Sequence, residues 1–276
     1  MRIDICNFLS KEFKLNNINF EPNIDFNWID AFGSTTNRFG FDYKRIIVFR
    51  LFSFYIILVS FVCSIKQYID KDCIQYWGLY LTHCTVCIAI LYSSSGLYIT
   101  YTLKNYPDNF KLHIIPRYVQ FHWALQQTAF VISFLIPVAF WIICLTSDSP
   151  TDPCYVTIEP NTVLLHGVNS FLVISDIIIT RQPFMVLHGI YPLVFGFLYL
   201  FLTYVHHKLE IGDCEHPNQD YPIYDELNWN NIHTVYKWYI TLLCITTINY
   251  LMHYIHYRKY RLREYKSFNN HISFSL

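Results

Sequence analysis

Long apolar runs, each close to the width of a bilayer, constrain this chain more than any other feature. A hydrocarbon core about 30 Å thick is crossed by about 20 helical residues at about 1.5 Å each. Six stretches reach that length: Ile46–Ile65, Tyr76–Leu97, Leu125–Leu145, Val163–Thr180, Phe184–Val205 and Val235–Ile255. Arg50, Asp176 and Lys237 are the charges that interrupt them. Arg50 and Lys237 lie near span ends, where long basic side chains snorkel to the interface. Buried helices of a soluble protein would show more amphipathic alternation than these runs do. The sequence therefore predicts an all-α, polytopic membrane helix bundle with six transmembrane helices across residues 46–255. An N-terminal segment, 1–45, precedes it and a basic tail, 256–276, follows.

Charge placement orients the spans. With the N-terminus in the cytoplasm, the inner segments hold Arg2, Lys11, Lys14, Arg38, Lys44, Arg45, Arg50, Lys104, Lys111, Arg117 and Arg181, and the tail adds Arg258, Lys259, Arg261, Arg263 and Lys266. Only Lys66, Lys71, Lys208 and Lys237 fall outside. Such a Lys/Arg bias marks the cytoplasmic side and predicts that both termini are cytoplasmic. Trp77, Trp141 and Trp238 fall at outer span ends, where an aromatic belt belongs. The balance of 20 basic and 20 acidic residues is thus a sum over two unlike sides. It lacks the basic surplus of a nucleic-acid binder, and 53% hydrophobic residues exclude disorder. The partner implied is the lipid bilayer, together with any membrane protein met through the outer loops.

The first 45 residues do not form a signal peptide, because Asp4, Lys11, Glu12 and Lys14 break any apolar stretch. Of the nine cysteines, Cys63, Cys84, Cys87, Cys144 and Cys244 read as packing residues in the spans. Cys73, Cys154 and Cys214 face the oxidising side, and two of them are expected to form a disulfide, with Cys154 and Cys214 the favoured pair.

Polar residues inside the spans need partners and mark where any chemistry must sit. In the fourth span His166, Asn169, Val173 and Asp176 share one helix face. In the fifth, His188, Tyr191 and Tyr199 do so, with Pro192 expected to bend the helix. By depth these residues form two layers. Asp176, His188, His122 and His253 lie toward the inside, where they are expected to pair with one another. Thr82, His83, His166 and Asn169 lie toward the outside. Hydrogen-bonded glue between helices is the simplest role for both layers, contributing on average about 0.6 kcal/mol per bond. A sharper alternative makes Thr82 a nucleophile and His166 its base, in acyl transfer. No His-Glu-x-x-His, Gly-x-Ser-x-Gly, P-loop or dinucleotide fingerprint is present, so the sequence implies no metal and no cofactor.

Several stretches carry a family resemblance. They are Leu165-His166-Gly167-Val168-Asn169-Ser170, Asp176 and Pro183, Leu187-His188-Gly189-Ile190-Tyr191-Pro192, Tyr224-Asp225-Glu226-Leu227-Asn228-Trp229 in the last outer loop, and Trp77-Gly78-Leu79-Tyr80-Leu81-Thr82. Together they resemble the rolling stone family of invertebrates. The resemblance implies a multi-pass plasma-membrane protein linked to myoblast fusion in muscle development. The wider superfamily includes threonine hydrolases that cleave fatty acid esters of hydroxy fatty acids, whose nucleophile would match Thr82. Their His-Gly-x-His-like run has Asn169 in place of its second histidine here, leaving only His166.

Overall fold

The computed structural model describes residues 32, 43–103, 115–146, 159–180, 182, 184–214, 216, 222–224 and 227–233, and part of 235–255. These residues contain helices and turns and no strand. The first helix, α1, runs Tyr43–Asp70. A 3-10 turn over Ile74–Leu79 leads into α2, Leu81–Leu103. Helix α3 spans Arg117–Thr146. Helix α4 is continuous from Pro160 to Ile179, with a π-helical turn at Leu164–Val168. A 3-10 turn at Val186–Gly189 opens onto α5, Ile190–Lys208. All five are long and apolar enough to cross a membrane. The described residues between 232 and 255 are also helical, but the sixth run is not described along its whole length.

What each helix buries shows why a bilayer suits this fold. In α1 the buried positions are Ile46, Arg50, Ser53, Ile57, Ser60 and Ser64, alternating steps of four and three. That is the seam of a left-handed helix pair, here built mainly of small and polar residues. Small side chains on such a seam let neighbouring backbones approach closely. The opposite side carries Val48 at 65% exposure, Phe52 at 55% and Tyr55 at 63%. A soluble helix would bury those and expose the serines. On α2 the buried stripe includes Ala89, Ser93 and Gly96, so two small-residue faces meet. Thr82, at the start of the same helix, is only partly buried.

The apolar core between the helices joins Ile57, Val86, Ala89, Tyr92, Phe130, Leu172 and Val173. A second cluster around Ile99, Val119 and Trp123 takes in Phe32 from the N-terminal segment. The polar start of α3 is drawn inside with it: His122, Gln126 and Gln127 are each 0% exposed. Pro192 sits in the first turn of α5, where backbone N–H groups have no intrahelical acceptor and proline costs little.

Candidate functional site

In the inner layer the expected pairing of Asp176 with histidines is replaced by an ion pair with Arg50. Arg50 Nε donates to Asp176 Oδ1 at 2.8 Å and Nη2 donates to Oδ2 at 3.1 Å. Tyr92 adds its hydroxyl to Oδ2 at 2.6 Å. The remaining donor, Arg50 Nη1, reaches the Gly96 carbonyl at 2.8 Å and the Thr100 hydroxyl. Three helices, α1, α2 and α4, are thereby tied at one point. Arg50 does not snorkel, being 2% exposed. Its position about two turns into α1 places it level with Asp176 near the end of α4, and a fixed fork-to-carboxylate match is more favourable there than reaching for water. The space beside the pair, lined by Ser53, Tyr92, Ser93 and Gly96 among others, measures about 10 Å³, room for about one water.

His122 lies against the same cluster. Its ring stacks on Tyr92 with centroids 4.9 Å apart, and Nδ1 is 2.8 Å from the Ser95 hydroxyl. His188 is fully buried with its ring edge-on to Trp123 at 4.8 Å and to Tyr191 at 5.4 Å. So these two histidines are held by aromatic and hydroxyl neighbours on separate helices. His253 lies outside the described residues. No group of three or more His, Cys, Asp or Glu that could hold a metal occurs among the described residues.

The outer layer separates Thr82 from His166. No hydrogen bond joins them. Thr82 faces Tyr224 from the last outer loop. His166, on the π-helical turn, stacks on Phe140, and its Nδ1 is buried without a hydrogen-bond partner. His83, the next position round α2 from Thr82, is near enough to His166 to act on it electrostatically. His83 is itself packed into an aromatic box, stacked on Trp77 at 4.7 Å, edge-on to Tyr68 at 5.0 Å, and with Nδ1 2.5 Å from the Trp77 carbonyl. Asn169, where the hydrolases carry a second histidine, donates Nδ2 to the Ser60 hydroxyl at 2.8 Å and so joins α4 to α1. Among the described residues no histidine is hydrogen-bonded to the Thr82 hydroxyl.

Above this layer the outer segments are stitched to the helix ends. Cys214 is disulfide-bonded to Cys73, with Cα atoms 5.4 Å apart. That corrects the expected Cys154–Cys214 pair; Cys154 lies outside the described residues. Proximity in depth could not choose among three outer cysteines. What decides is that α5 ends over the turn between α1 and α2. The Tyr224 hydroxyl accepts the Leu81 N–H at 3.1 Å, and Tyr199 of α5 donates to the Leu79 carbonyl at 2.8 Å. Burial pushes the Tyr224 phenol up to about 12, opposed by the Leu81 N–H and the Tyr199 and Thr82 hydroxyls around it. It therefore stays protonated at physiological pH. Farther along, Trp229 donates Nε1 to the Thr203 hydroxyl at 3.2 Å and meets Tyr204 edge-on. His206 Nε2 lies 3.1 Å from the Gly212 carbonyl.

The sequence model of the family described as "Protein rolling stone" matches residues 1–275. The chain belongs to the rolling stone family. A curated relative, Protein rolling stone of Drosophila melanogaster, is 20% identical over 216 residues, covering 70% of this chain and 76% of that protein. No solved structure matches. In this rolling stone family member the resembling motifs are anchor points. Trp77–Thr82 supplies the backbone groups that hold Tyr199 and Tyr224. Leu165–Ser170 spans the π-helical turn and Asn169. The two aromatics of Tyr224–Trp229 are the loop's feet on the bundle. The sequence reading makes Arg50 a snorkelling charge near a span end and not the partner of Asp176, and it does not single out Tyr92. The spacing of Arg50, Ser53, Ser60 and Ser64 on one face of an otherwise apolar run was the available signal for the first of them.

Proposed function

We propose that this chain is a six-span protein of the plasma membrane, with both termini cytoplasmic, that acts in cell–cell fusion of myoblasts during muscle formation. Family membership along residues 1–275 supports that reading. The observation that carries it is the stitched outer face: a disulfide and two aromatic anchors hold the last outer loop against the helix ends, as a recognition platform requires. Disulfides persist in oxidising surroundings. This favours an extracellular position for the Cys73–Cys214 end and, about 40 Å along α1, a cytoplasmic one for Tyr43. The sixth span, the 1–45 lead-in and the 256–276 tail follow from the same orientation.

The test is rescue of fusion in myoblasts depleted of the protein, scored by content mixing between two labelled populations. Tyr224→Phe combined with Trp229→Ala is expected to lower rescue several-fold at unchanged surface abundance. Thr82→Val, which removes the hydroxyl and keeps the shape, is expected to rescue as wild type does. Loss of rescue in Thr82→Val at normal abundance, with the loop variant unaffected, would replace this reading with a hydrolase.

A further inference from the structure

We propose that Cys84 and Cys87 on α2 bind one soft monovalent metal ion, copper(I), as a two-coordinate bis-thiolate. Neither is in a disulfide, and both are half-buried. Neither belongs to the apolar clusters between the helices, so the packing role expected from the sequence does not account for them. They stand three residues apart on one helix, which puts both side chains on one face. That face continues through Leu91 at 46% exposure and Tyr98 at 56%, so the pair sits on the side of α2 turned away from the bundle. Cys84 Sγ donates to the Gly78 carbonyl at 3.5 Å. The Cα–Cβ bond of Cys87 tilts toward the helix start and brings its sulfur up toward Cys84. The two thiols are near enough to act on each other electrostatically. Their spacing favours a metal over a disulfide. Helical neighbours three apart have Cβ atoms about 5–6 Å apart, whereas a disulfide holds them at about 3.5–4.5 Å. Metal–sulfur bonds of about 2.3 Å, as in zinc thiolates, space two sulfurs about 4.6 Å apart and leave the helix undistorted. The ligand count then selects the ion. Among the described residues no third His, Cys, Asp or Glu joins the pair, so tetrahedral zinc lacks its ligand set. Thiolates select copper(I), and two of them in a line satisfy it. Binding breaks two S–H bonds, forms two Cu–S bonds, releases both protons to water and transfers no electron. The negative charge left on the complex begins at the fourth residue of α2, where N–H groups without intrahelical acceptors favour it. The site stands whether or not the protein acts in fusion.

Full-length protein in neutral detergent is titrated anaerobically with copper(I) acetonitrile complex, in competition with a copper(I) chelator, and read by native mass spectrometry. Wild type is expected to gain the mass of one copper ion less two protons. It should hold that ion about 100-fold more tightly than Cys84→Ser or Cys87→Ser, each of which forfeits chelation. Cys63→Ser is expected to bind as wild type does, and zinc(II) at the same concentration is expected not to be retained. Absence of copper from wild type overturns the proposal, as does copper held equally by the Cys84→Ser/Cys87→Ser double variant or zinc held as tightly as copper. A Cys84–Cys87 disulfide in a non-reducing mass map of the purified protein also overturns it. If the serine variants fail to fold, maleimide labelling of wild type decides. Copper(I) should shield Cys84 and Cys87 while Cys63 still reacts, and equal labelling of the pair with and without the ion is the overturning result.

Discussion

At the scale of single residues, Arg50 and Asp176 are each tolerable in a membrane only because the other is there. Removing one partner leaves a buried charge, which costs about 3–5 kcal/mol, whereas replacing both with apolar residues of similar size is often neutral. Asp176→Ala should therefore lower the melting temperature and surface abundance sharply, and Arg50→Met/Asp176→Leu should recover most of the loss in a thermal-shift measurement. Gly96 is required for a different reason. A Cβ there would stand 2.9 Å from His122 Cε1 and 3.4 Å from Arg50 Cζ. Gly96→Ala should destabilise by about 1–3 kcal/mol through overpacking. No described histidine is bonded to Thr82, so a fluorophosphonate probe is expected to leave the wild-type protein unlabelled. Labelling that disappears in Thr82→Ala would refute that expectation.

At the scale of helices and loops, the sequence was most legible where periodicity carried the signal. Each of the five described spans overlaps an apolar run, with bounds displaced by up to eight residues at the polar start of α3, because exclusion from water acts on every residue of a run. The site was less legible because its contacts join positions far apart in the chain. Arg50 and Asp176 are separated by 126 residues, and Cys73 and Cys214 by 141. Depth alone placed Asp176 among histidines and Cys214 beside Cys154, while helix order decided otherwise. It also put Thr82 and His166 in one layer without revealing that they point to different neighbours. Closing a loop of 141 residues removes about 5 kcal/mol of unfolded-chain freedom in the entropy model. Helices that stay in the bilayer when separated retain less freedom to lose, so Cys73→Ser should cost less than that. Its clearest effect is expected as faster protease cleavage within residues 209–231, read on intact cells.

At the scale of the whole molecule, the fold puts its polar groups inside and its apolar groups outside, and the two ends of α1 differ in kind. One end is tied down by a disulfide and aromatic anchors; the other carries Lys44 and Arg45 in its first turn. Single cysteines placed at Lys44 and at His216 should therefore react with a membrane-impermeant maleimide from opposite sides. His216→Cys is expected to label on intact cells and Lys44→Cys only after permeabilisation. The reverse pattern would invert the orientation.

The Arg50–Asp176 pair also sets an order of events during synthesis. Ribosomes add roughly 5–20 residues per second, so the 126 residues between the partners take about 6–25 s to make. For that interval the first helix sits in or beside the translocon with an unmatched guanidinium. Two of its ligands, the Gly96 carbonyl and the Thr100 hydroxyl, arrive with α2, well before the carboxylate does. The α1–α2 hairpin is thus a provisional shelter for the charge. A nascent chain stalled before residue 176 should hold that hairpin in the membrane, but with a weaker grip than the finished protein.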